Sequence, residues 1–165
     1  MQEYETNAHI RQAIRTFQYG LYILTCGTGE QASAAAVTWV TQVSMQPRRV
    51  AVAIRRASHI YGSLRAAGAF ALNVVGEGDK GLASTFFKYV EPVGNSFRDY
   101  SFEAGEFTGA PLLLGAVAWL ECRVVEEANQ DGDHGLFIAD VLAGDVRHPN
   151  APSMSLAATG WSYGG

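Results

Sequence analysis

The sequence has little charge and no basic excess, and each shortage excludes a class of protein. Charged residues make up 17% of the 165 residues, and the net charge is −4 with histidine neutral. An acidic chain lacks the basic face that a nucleic-acid backbone requires, so no nucleic-acid partner is expected. No apolar run approaches the roughly 20 residues that cross a bilayer, and the polar, acidic start from Met1 to Ile10 is unlike a signal peptide. We therefore expect no membrane association and a cytoplasmic location.

Cysteine is equally scarce. The two cysteines, Cys26 and Cys122, form no CxxC pair, so we expect both to be reduced and buried rather than part of a disulfide framework or a thiolate metal site. The histidines are scattered, with no HExxH motif: His9, His59, His134 and His148. No metal site is predicted from this spacing.

The residues that are abundant point to a β fold with a covered surface. Apolar residues make up 48% of the chain, which with so little charge suggests a subunit interface or a bound ligand. Eighteen glycines beside five prolines favour turn-rich β structure over disorder. The length fits one domain, 1-165, on a prior of roughly 100–200 residues per domain.

Periodicity predicts about six strands, several joined by short turns, with two or three helices inserted between them. Helices are predicted at 7–17, capped by Asn7, at 58–67, capped by Ser58 and ended by Gly68, and at 81–89. Extended segments are predicted at 19–26 and 32–43 as a hairpin, and at 50–54, 70–75, 116–126 and 135–147, with an irregular insert at 90–108 and an edge strand or tail at 156–163. A small, closed or nearly closed β-barrel fits this order best.

The run from Gly76 to Gly81 is a literal GxGxxG between a strand and a helix. A dinucleotide fingerprint also needs a second buried strand soon after the helix, which the residues EPVGNSFRDY do not provide. Glu77 and Asp79 would add negative charge beside the phosphates. We interpret the run as a flexible turn.

Three other segments have a functional and a structural interpretation. The strand TWVTQVSMQP sets hydroxyl and amide groups beside a tryptophan, which suits a flat heterocycle with polar edges, although its polar residues could simply face water. Arg55 and Arg56 lead into a helix start at Ser58, which suits a phosphate, although surface arginines are common. His134 follows Asp133, which could set its tautomer; taken alone, this histidine reads as structural.

Taken in order, the segments TWVTQVSMQP, VAVAIRRASHI, FALNVV, LASTFF, TGAPLLLGAVAWLECRV and DGDHGLFIADV resemble the flavin reductase-like family, from about Phe17 to Val146. The resemblance implies a mainly β fold, an FMN-binding split barrel with antiparallel, Greek-key-like strands. It also implies a homodimer that binds FMN or FAD near the interface. The pattern around Trp39 looks most like the flavoredoxin branch and the modules appended to flavodiiron proteins. Trp39 and Gln46 depart from the commoner family pattern, which leaves the electron donor and acceptor open.

The resemblance also assigns residues. It implies that four consecutive residues line the flavin ring: Thr38, Trp39, Val40 and Thr41. Arg55 and Ser58 match the segment that holds the phosphate. Phe86 matches an aromatic residue near the flavin or the partner subunit, and His134 matches a histidine near the nicotinamide or the flavin.

The function expected from the resemblance is an NAD(P)H-dependent flavin reductase. Hydride would pass from NADH or NADPH to the flavin, and a separate monooxygenase could use the reduced flavin. His134 would orient the donor. Two alternatives remain open: an FMN-binding electron carrier without NAD(P)H activity, and a barrel that binds haem or no cofactor.

Overall fold

The structure, a computed structural model, describes residues 2–165, with side chains from Tyr4 onward. Its strands are β1 (Tyr22–Cys26), β2 (Ser33–Val37), β3 (Val40–Met45), β4 (Arg48–Arg55), β5 (Ala69–Val74), β6 (Ser96–Phe97), β7 (Tyr100–Ala104), β8 (Pro111–Leu113), β9 (Ala118–Ala128) and β10 (His134–Val146). Its α-helices are α1 (Gln2–Ile14), α2 (His59–Ala67), α3 (Lys80–Thr85) and α4 (Leu156–Thr159).

Seven strands form one antiparallel sheet in the order β2-β1-β5-β9-β10-β4-β3. Its two edge strands, β2 and β3, are consecutive in the chain and are joined only by Thr38 and Trp39, a connection that we call the seam. Three Cα steps span at most about 11 Å, whereas the edges of a flat seven-stranded sheet lie about 29 Å apart. The sheet therefore has to curl until its edges nearly meet. This confirms the predicted mainly β, antiparallel barrel.

Several predicted elements are confirmed. The β1–β2 hairpin forms with Tyr22 opposite Val37. Helix α2 has Ser58 at the N-cap position, although the Ser58 side chain makes no capping hydrogen bond, and it has a left-handed Gly68 at its C-cap. The Gly76–Gly81 run follows β5, whose two neighbours β1 and β9 are both antiparallel to it, so no parallel β-α-β unit exists there. The Asp79 side chain instead caps α3 by accepting a hydrogen bond from the Leu82 N–H.

Other predictions were wrong in detail. The extended segment 32–43 is two strands, because the chain leaves one sheet edge at Val37 and joins the other at Val40. The insert 90–108 is partly regular, because it contains β6 and β7, which form a second antiparallel sheet with the following strand β8. Of the two alternatives given for the segment 156–163, an edge strand or a tail, the edge strand is wrong, and the segment contains the short helix α4. Residue pairing across the sheets, which local sequence does not encode, decides the first two of these cases.

The first helix also differs from its prediction. It begins well before Asn7, so Asn7 lies inside α1 and does not cap it. Its apolar residues do not pack on the barrel: Ile10 is 52% exposed, and Phe17, just beyond the helix, is 63% exposed. The spacing correctly indicated a helix with an apolar stripe, but it did not indicate what covers that stripe.

Buried polar groups tie the barrel wall together. Asn73, fully buried on β5, donates to the Ile23 carbonyl at 3.0 Å and accepts from the Leu113 N–H at 2.8 Å. It also donates to the Thr25 hydroxyl at 3.1 Å, and that hydroxyl donates to the Pro111 carbonyl. One amide side chain thus connects β5 with β1 and β8.

Both cysteines are free and buried, as predicted. Burial raises the pKa of each thiol to about 12, and for Cys122 the neighbouring Glu121 carboxylate adds to the increase. A thiol with so high a pKa is not a nucleophile near neutral pH. Within residues 2–165, none of the helices is long and apolar enough to cross a membrane.

The loop between β7 and β8 is held by a buried carboxylate. Glu121 on β9 is only 1% exposed. It accepts hydrogen bonds from the Thr108 N–H at 2.9 Å, the Thr108 hydroxyl at 2.7 Å and the Phe107 N–H at 3.2 Å. A Cβ atom on Gly105 would overlap this carboxylate, so the loop closes only because residue 105 has no side chain.

We predict that Gly105→Ala lowers the free energy of unfolding by about 1–3 kcal/mol, because overpacking displaces Glu121 from its three donors. Urea denaturation measures the change. Gly115→Ala is the matched control, since a Cβ there would meet no atom within 4 Å. Equal unfolding free energies for the two variants would contradict the role assigned to Glu121.

Candidate functional site

A pocket opens at the seam of the barrel and has a volume of about 470 Å³, within the range of small-molecule sites. Its walls come from β2 and the seam, the end of β4, the start of α2, the residues after α3 and the segment after α4. The lining residues are Leu21, Ala35, Ala36, Val37, Thr38, Trp39, Ala53, Ile54, Arg55, Ser58, Ile60, Phe86, Phe87, Leu156, Trp161, Ser162 and Tyr163. Most of these side chains are apolar or aromatic, with a few polar groups between them.

The seam supplies two polar atoms without a partner. The Thr38 hydroxyl and the Trp39 indole N–H are buried, and neither has a hydrogen-bond partner among the described residues. The main chain beside them is already paired, since the Thr38 carbonyl accepts from the Val40 N–H at 3.1 Å and the Trp39 carbonyl from the Ala53 N–H at 3.0 Å. Leaving a buried polar group unpaired costs about 1–3 kcal/mol. Both residues line the pocket, and unpartnered polar atoms on neighbouring lining residues are a feature that a ligand would explain.

A turn between β4 and α2 places a positive charge at the pocket. The Arg55 carbonyl accepts from both the Ser58 N–H at 3.0 Å and the Ser58 hydroxyl at 2.6 Å, so the chain reverses directly into the helix. The Ser58 side chain therefore does not cap α2. The helix starts without a capping side chain beside the exposed Arg55, and such an arrangement favours an anion.

The neighbouring arginine has a different role. Arg56 donates to the Gly132 carbonyl at 2.8 Å and to the Tyr61 hydroxyl at 2.6 Å, and it lies 3.8 Å from the Glu127 carboxylate. These contacts fasten the β9–β10 turn to α2. Of the arginine pair in the sequence, only Arg55 lines the pocket.

Phe86 forms part of the opposite wall. It is 2% exposed and packs edge-on against Phe97, with 5.5 Å between ring centroids. Its carbonyl accepts from the Ala36 N–H at 3.1 Å, which fixes the end of α3 to the free edge of β2. The pocket wall and the barrel edge are thus joined at this residue.

His134 lies beside the pocket and is not among its lining residues. It is the first residue of β10, opposite Arg55 in the sheet register, and its ring centroid is 4.5 Å from that of Trp39. Its Nδ1 lies 2.7 Å from the Asp133 carboxylate, and its Nε2 lies 2.6 Å from the Tyr163 hydroxyl. The hydrogen bond from His134 is the main cause that lowers the pKa of Asp133. Because an ionised carboxylate only accepts, Asp133 holds the proton on Nδ1, as the sequence suggested.

The structure thus brings five of the residues singled out by sequence into the pocket lining: Thr38, Trp39, Arg55, Ser58 and Phe86. Val40 and Thr41 are not among the lining residues, because both belong to β3 beyond the seam. Thr41 is exposed, and its hydroxyl donates to the Gln42 carbonyl at 3.2 Å.

Sequence reasoning missed one wall entirely. Trp161, Ser162 and Tyr163 line the pocket although, with Leu156, they lie far along the chain from the other lining residues. Two aromatic residues close together in a segment without periodicity were the only signal. Among the described residues, no group of three or more His, Cys, Asp or Glu side chains is arranged to hold a metal ion.

The chain is similar in sequence to two kinds of protein. It is 33% identical over 140 residues to the NADPH-flavin oxidoreductase of Streptomyces viridifaciens, covering 84% of this chain and 72% of the relative. It is 34% identical over 134 residues to a diflavin flavoprotein A 3 of Synechocystis sp., covering 81% of this chain but 22% of that protein. The chain thus spans about a quarter or less of the diflavin flavoproteins that it matches.

Solved structures share the fold. The NADH:FAD oxidoreductase SgcE6 of Streptomyces globisporus C-1027 superposes with a TM-score of 0.76 at 27% identity, covering 87% of this chain and 81% of SgcE6. BorF, the flavin reductase component of a bacterial two-component tryptophan halogenase, superposes with a TM-score of 0.74 at 26% identity, covering 88% of this chain and 91% of BorF.

A family model described as the flavin reductase like domain matches residues 14–160, which include all of the pocket lining except Ser162, Tyr163 and Trp161. The same residues form the barrel, the seam and the turn at Arg55. The chain belongs to the flavin reductase-like family.

Proposed function

We propose that the chain is an NAD(P)H-dependent flavin reductase, which binds FMN or FAD in the pocket at the seam and passes hydride to it from NADH or NADPH. The observation that carries the proposal is the pair of unpartnered polar atoms, the Thr38 hydroxyl and the Trp39 indole N–H, on two neighbouring residues that line a largely apolar pocket. A flavin ring is flat and apolar on its faces and polar along its edge. Its faces therefore suit the apolar and aromatic side chains of the pocket, and its edge suits the two unpartnered polar atoms.

The phosphate end of the cofactor would lie at the exposed Arg55. The guanidinium supplies positive charge, and the start of α2 adds main-chain N–H groups. The Ser58 hydroxyl donates its hydrogen bond to the Arg55 carbonyl. We therefore assign Ser58 to shaping the turn and Arg55 to holding the phosphate.

The remaining pocket residues exclude water and fix the ring. Phe86 and Ile60 are buried apolar walls, and the Trp39 side chain forms a flat aromatic wall next to His134. A bound flavin supplies the hydride acceptor, so the protein needs no strong acid or base for the transfer itself. His134, with its tautomer held by Asp133, would orient the nicotinamide donor.

Exposed apolar side chains support a homodimer as the functional form. Phe17, Met45 and Val93 are 63%, 86% and 76% exposed, which is unusual for large apolar residues in a chain with so little charge. A second copy of the chain would cover part of this surface. The similarity to BorF supports a role in supplying reduced flavin to a partner enzyme, such as a monooxygenase.

Anaerobic absorbance titration tests the function directly. Purified protein is mixed with FMN or FAD, and NADH or NADPH is then added in steps. Bleaching of the flavin much faster than in a protein-free mixture is the expected result. Flavin that binds but is not reduced would contradict the reductase and favour an electron carrier, an alternative that the diflavin relatives support. Protein that binds no flavin would contradict both functions.

Thr38→Val tests the unpaired hydroxyl with a side chain of nearly the same shape. Because a buried group without a partner is removed, we expect the flavin-free protein to gain about 1 kcal/mol of unfolding free energy. Flavin affinity should fall, because the ring loses a hydrogen-bond partner. Urea denaturation and fluorescence titration with FMN measure the two effects.

Thr25→Val is the matched control for that experiment. The Thr25 hydroxyl is also buried, but it is bonded to the Pro111 carbonyl and to Asn73. We therefore expect Thr25→Val to lower the unfolding free energy. A loss of stability in Thr38→Val equal to that in Thr25→Val would show that the Thr38 hydroxyl has a partner within the protein.

Arg55→Ala tests the phosphate assignment. Loss of one charged hydrogen-bond partner should weaken FMN binding about 10- to 100-fold, while binding of riboflavin, which has no phosphate, should change little. Fluorescence titration compares the two ligands. Arg49→Ala is the control, since Arg49 lies on the same strand but is paired with Asp140 at 2.8 Å. Equal losses for FMN and riboflavin in Arg55→Ala would place the phosphate elsewhere.

A further inference from the structure

Tyr163 is a pocket residue to which the assignments above give no individual role. Its hydroxyl lies 2.6 Å from His134 Nε2, and its ring meets Trp39 edge-on with 5.1 Å between centroids. It lines the pocket, whereas His134 is not among the lining residues. Tyr163 thus connects His134 to the pocket wall by a hydrogen bond, beside the ring contact that His134 makes with Trp39.

The segment that bears Tyr163 is held on both sides. Trp161 packs edge-on against Phe87, with 4.8 Å between centroids, and the Lys80 ammonium lies 4.6 Å from the Trp161 ring centroid. Beyond Tyr163, the Gly164 carbonyl accepts a hydrogen bond from Arg15 Nε at 3.2 Å. The position of the phenol is thus set by anchors on either side of it.

In the neutral imidazole, the hydrogen bonds at His134 have one direction. Asp133 accepts from the Nδ1–H, Nε2 is then an acceptor, and the Tyr163 hydroxyl donates to Nε2. Both ring nitrogens of His134 are then fixed, and its ring lies at 36° to the Trp39 ring plane.

We propose that Tyr163 is a positioning residue for His134, and that it favours binding of the nicotinamide donor without contributing to the affinity for flavin. The inference rests on the proposed function. We connect Tyr163 with binding of the donor because its hydroxyl is hydrogen-bonded to His134. The unpartnered polar atoms that suit a flavin belong to other residues, Thr38 and Trp39. Asp133 fixes the tautomer of the imidazole, and Tyr163 fixes the orientation of its other nitrogen.

Equilibrium binding of a non-reducing nucleotide tests the proposal apart from turnover. FMN-loaded protein is titrated calorimetrically with NAD⁺ and with NADP⁺, and the better ligand is used for all variants. We expect Tyr163→Phe to weaken this binding about three- to tenfold, the effect of one hydrogen bond, and to leave FMN affinity unchanged. In turnover, KM for the reduced donor should rise by the same factor, while kcat stays the same.

A double-mutant cycle separates positioning from a general structural effect. If Tyr163 acts through His134, adding Tyr163→Phe to His134→Ala should cause no further loss of nucleotide affinity. Tyr89→Phe is the control, because Tyr89 packs against another histidine, His59, at 4.2 Å between centroids and is not among the pocket-lining residues. It should bind the nucleotide as the unmodified protein does.

The outcomes distinguish this proposal from the function on which it rests. Unchanged nucleotide affinity in Tyr163→Phe, additive losses in the double variant, or a parallel loss of FMN affinity would each overturn the positioning role alone. Unmodified protein that binds FMN but neither NAD⁺ nor NADP⁺, and that does not oxidise NADH or NADPH, would overturn the reductase function and the positioning role together.

Discussion

The two-residue connection at the seam is the constraint on which the rest of the structure depends. Because Thr38 and Trp39 join the opposite edges of a seven-stranded sheet, the sheet has to close on itself. The chain leaves one ladder at Val37 and enters another at Val40, so the side chains between them belong to neither. The unpaired hydroxyl and indole N–H belong to these two residues. The pocket is lined by the same connection.

The chemical groups around the pocket are aligned by the sheet register. Arg55 ends β4 and His134 begins β10, and the two residues are opposite each other in the antiparallel ladder. The residue proposed to bind the phosphate, Arg55, and the residue proposed to orient the donor, His134, therefore lie side by side on adjacent strands. On the other side of the pocket, the Phe86 carbonyl accepts a hydrogen bond from the Ala36 N–H on β2, so the apolar wall is joined to the barrel edge. Strand pairing, more than any single loop, places these groups around one volume.

Local sequence was sufficient where a short-range signal determines the structure. The β1–β2 hairpin followed from a β-branched and aromatic run with a glycine-containing turn after it, and the limits of α2 followed from Ser58 and Gly68. The break at Thr38 was not predictable in the same way, because the residues on both sides of it favour extended structure equally. The choice of Arg55 over Arg56 also depended on partners distant in sequence, such as Glu127 and Gly132. The wall formed by Trp161 and Tyr163 comes from a segment without periodicity, so only the folded chain reveals it.

A crystal structure of the protein with FMN bound tests the central claim most directly. The account predicts the flavin ring against Trp39, with the Thr38 hydroxyl and the Trp39 indole N–H each within hydrogen-bond distance of a polar atom of the cofactor. It also predicts the phosphate within hydrogen-bond distance of the Arg55 guanidinium. A flavin bound elsewhere, or a flavin in the pocket that leaves both atoms at the seam unpaired, would contradict it.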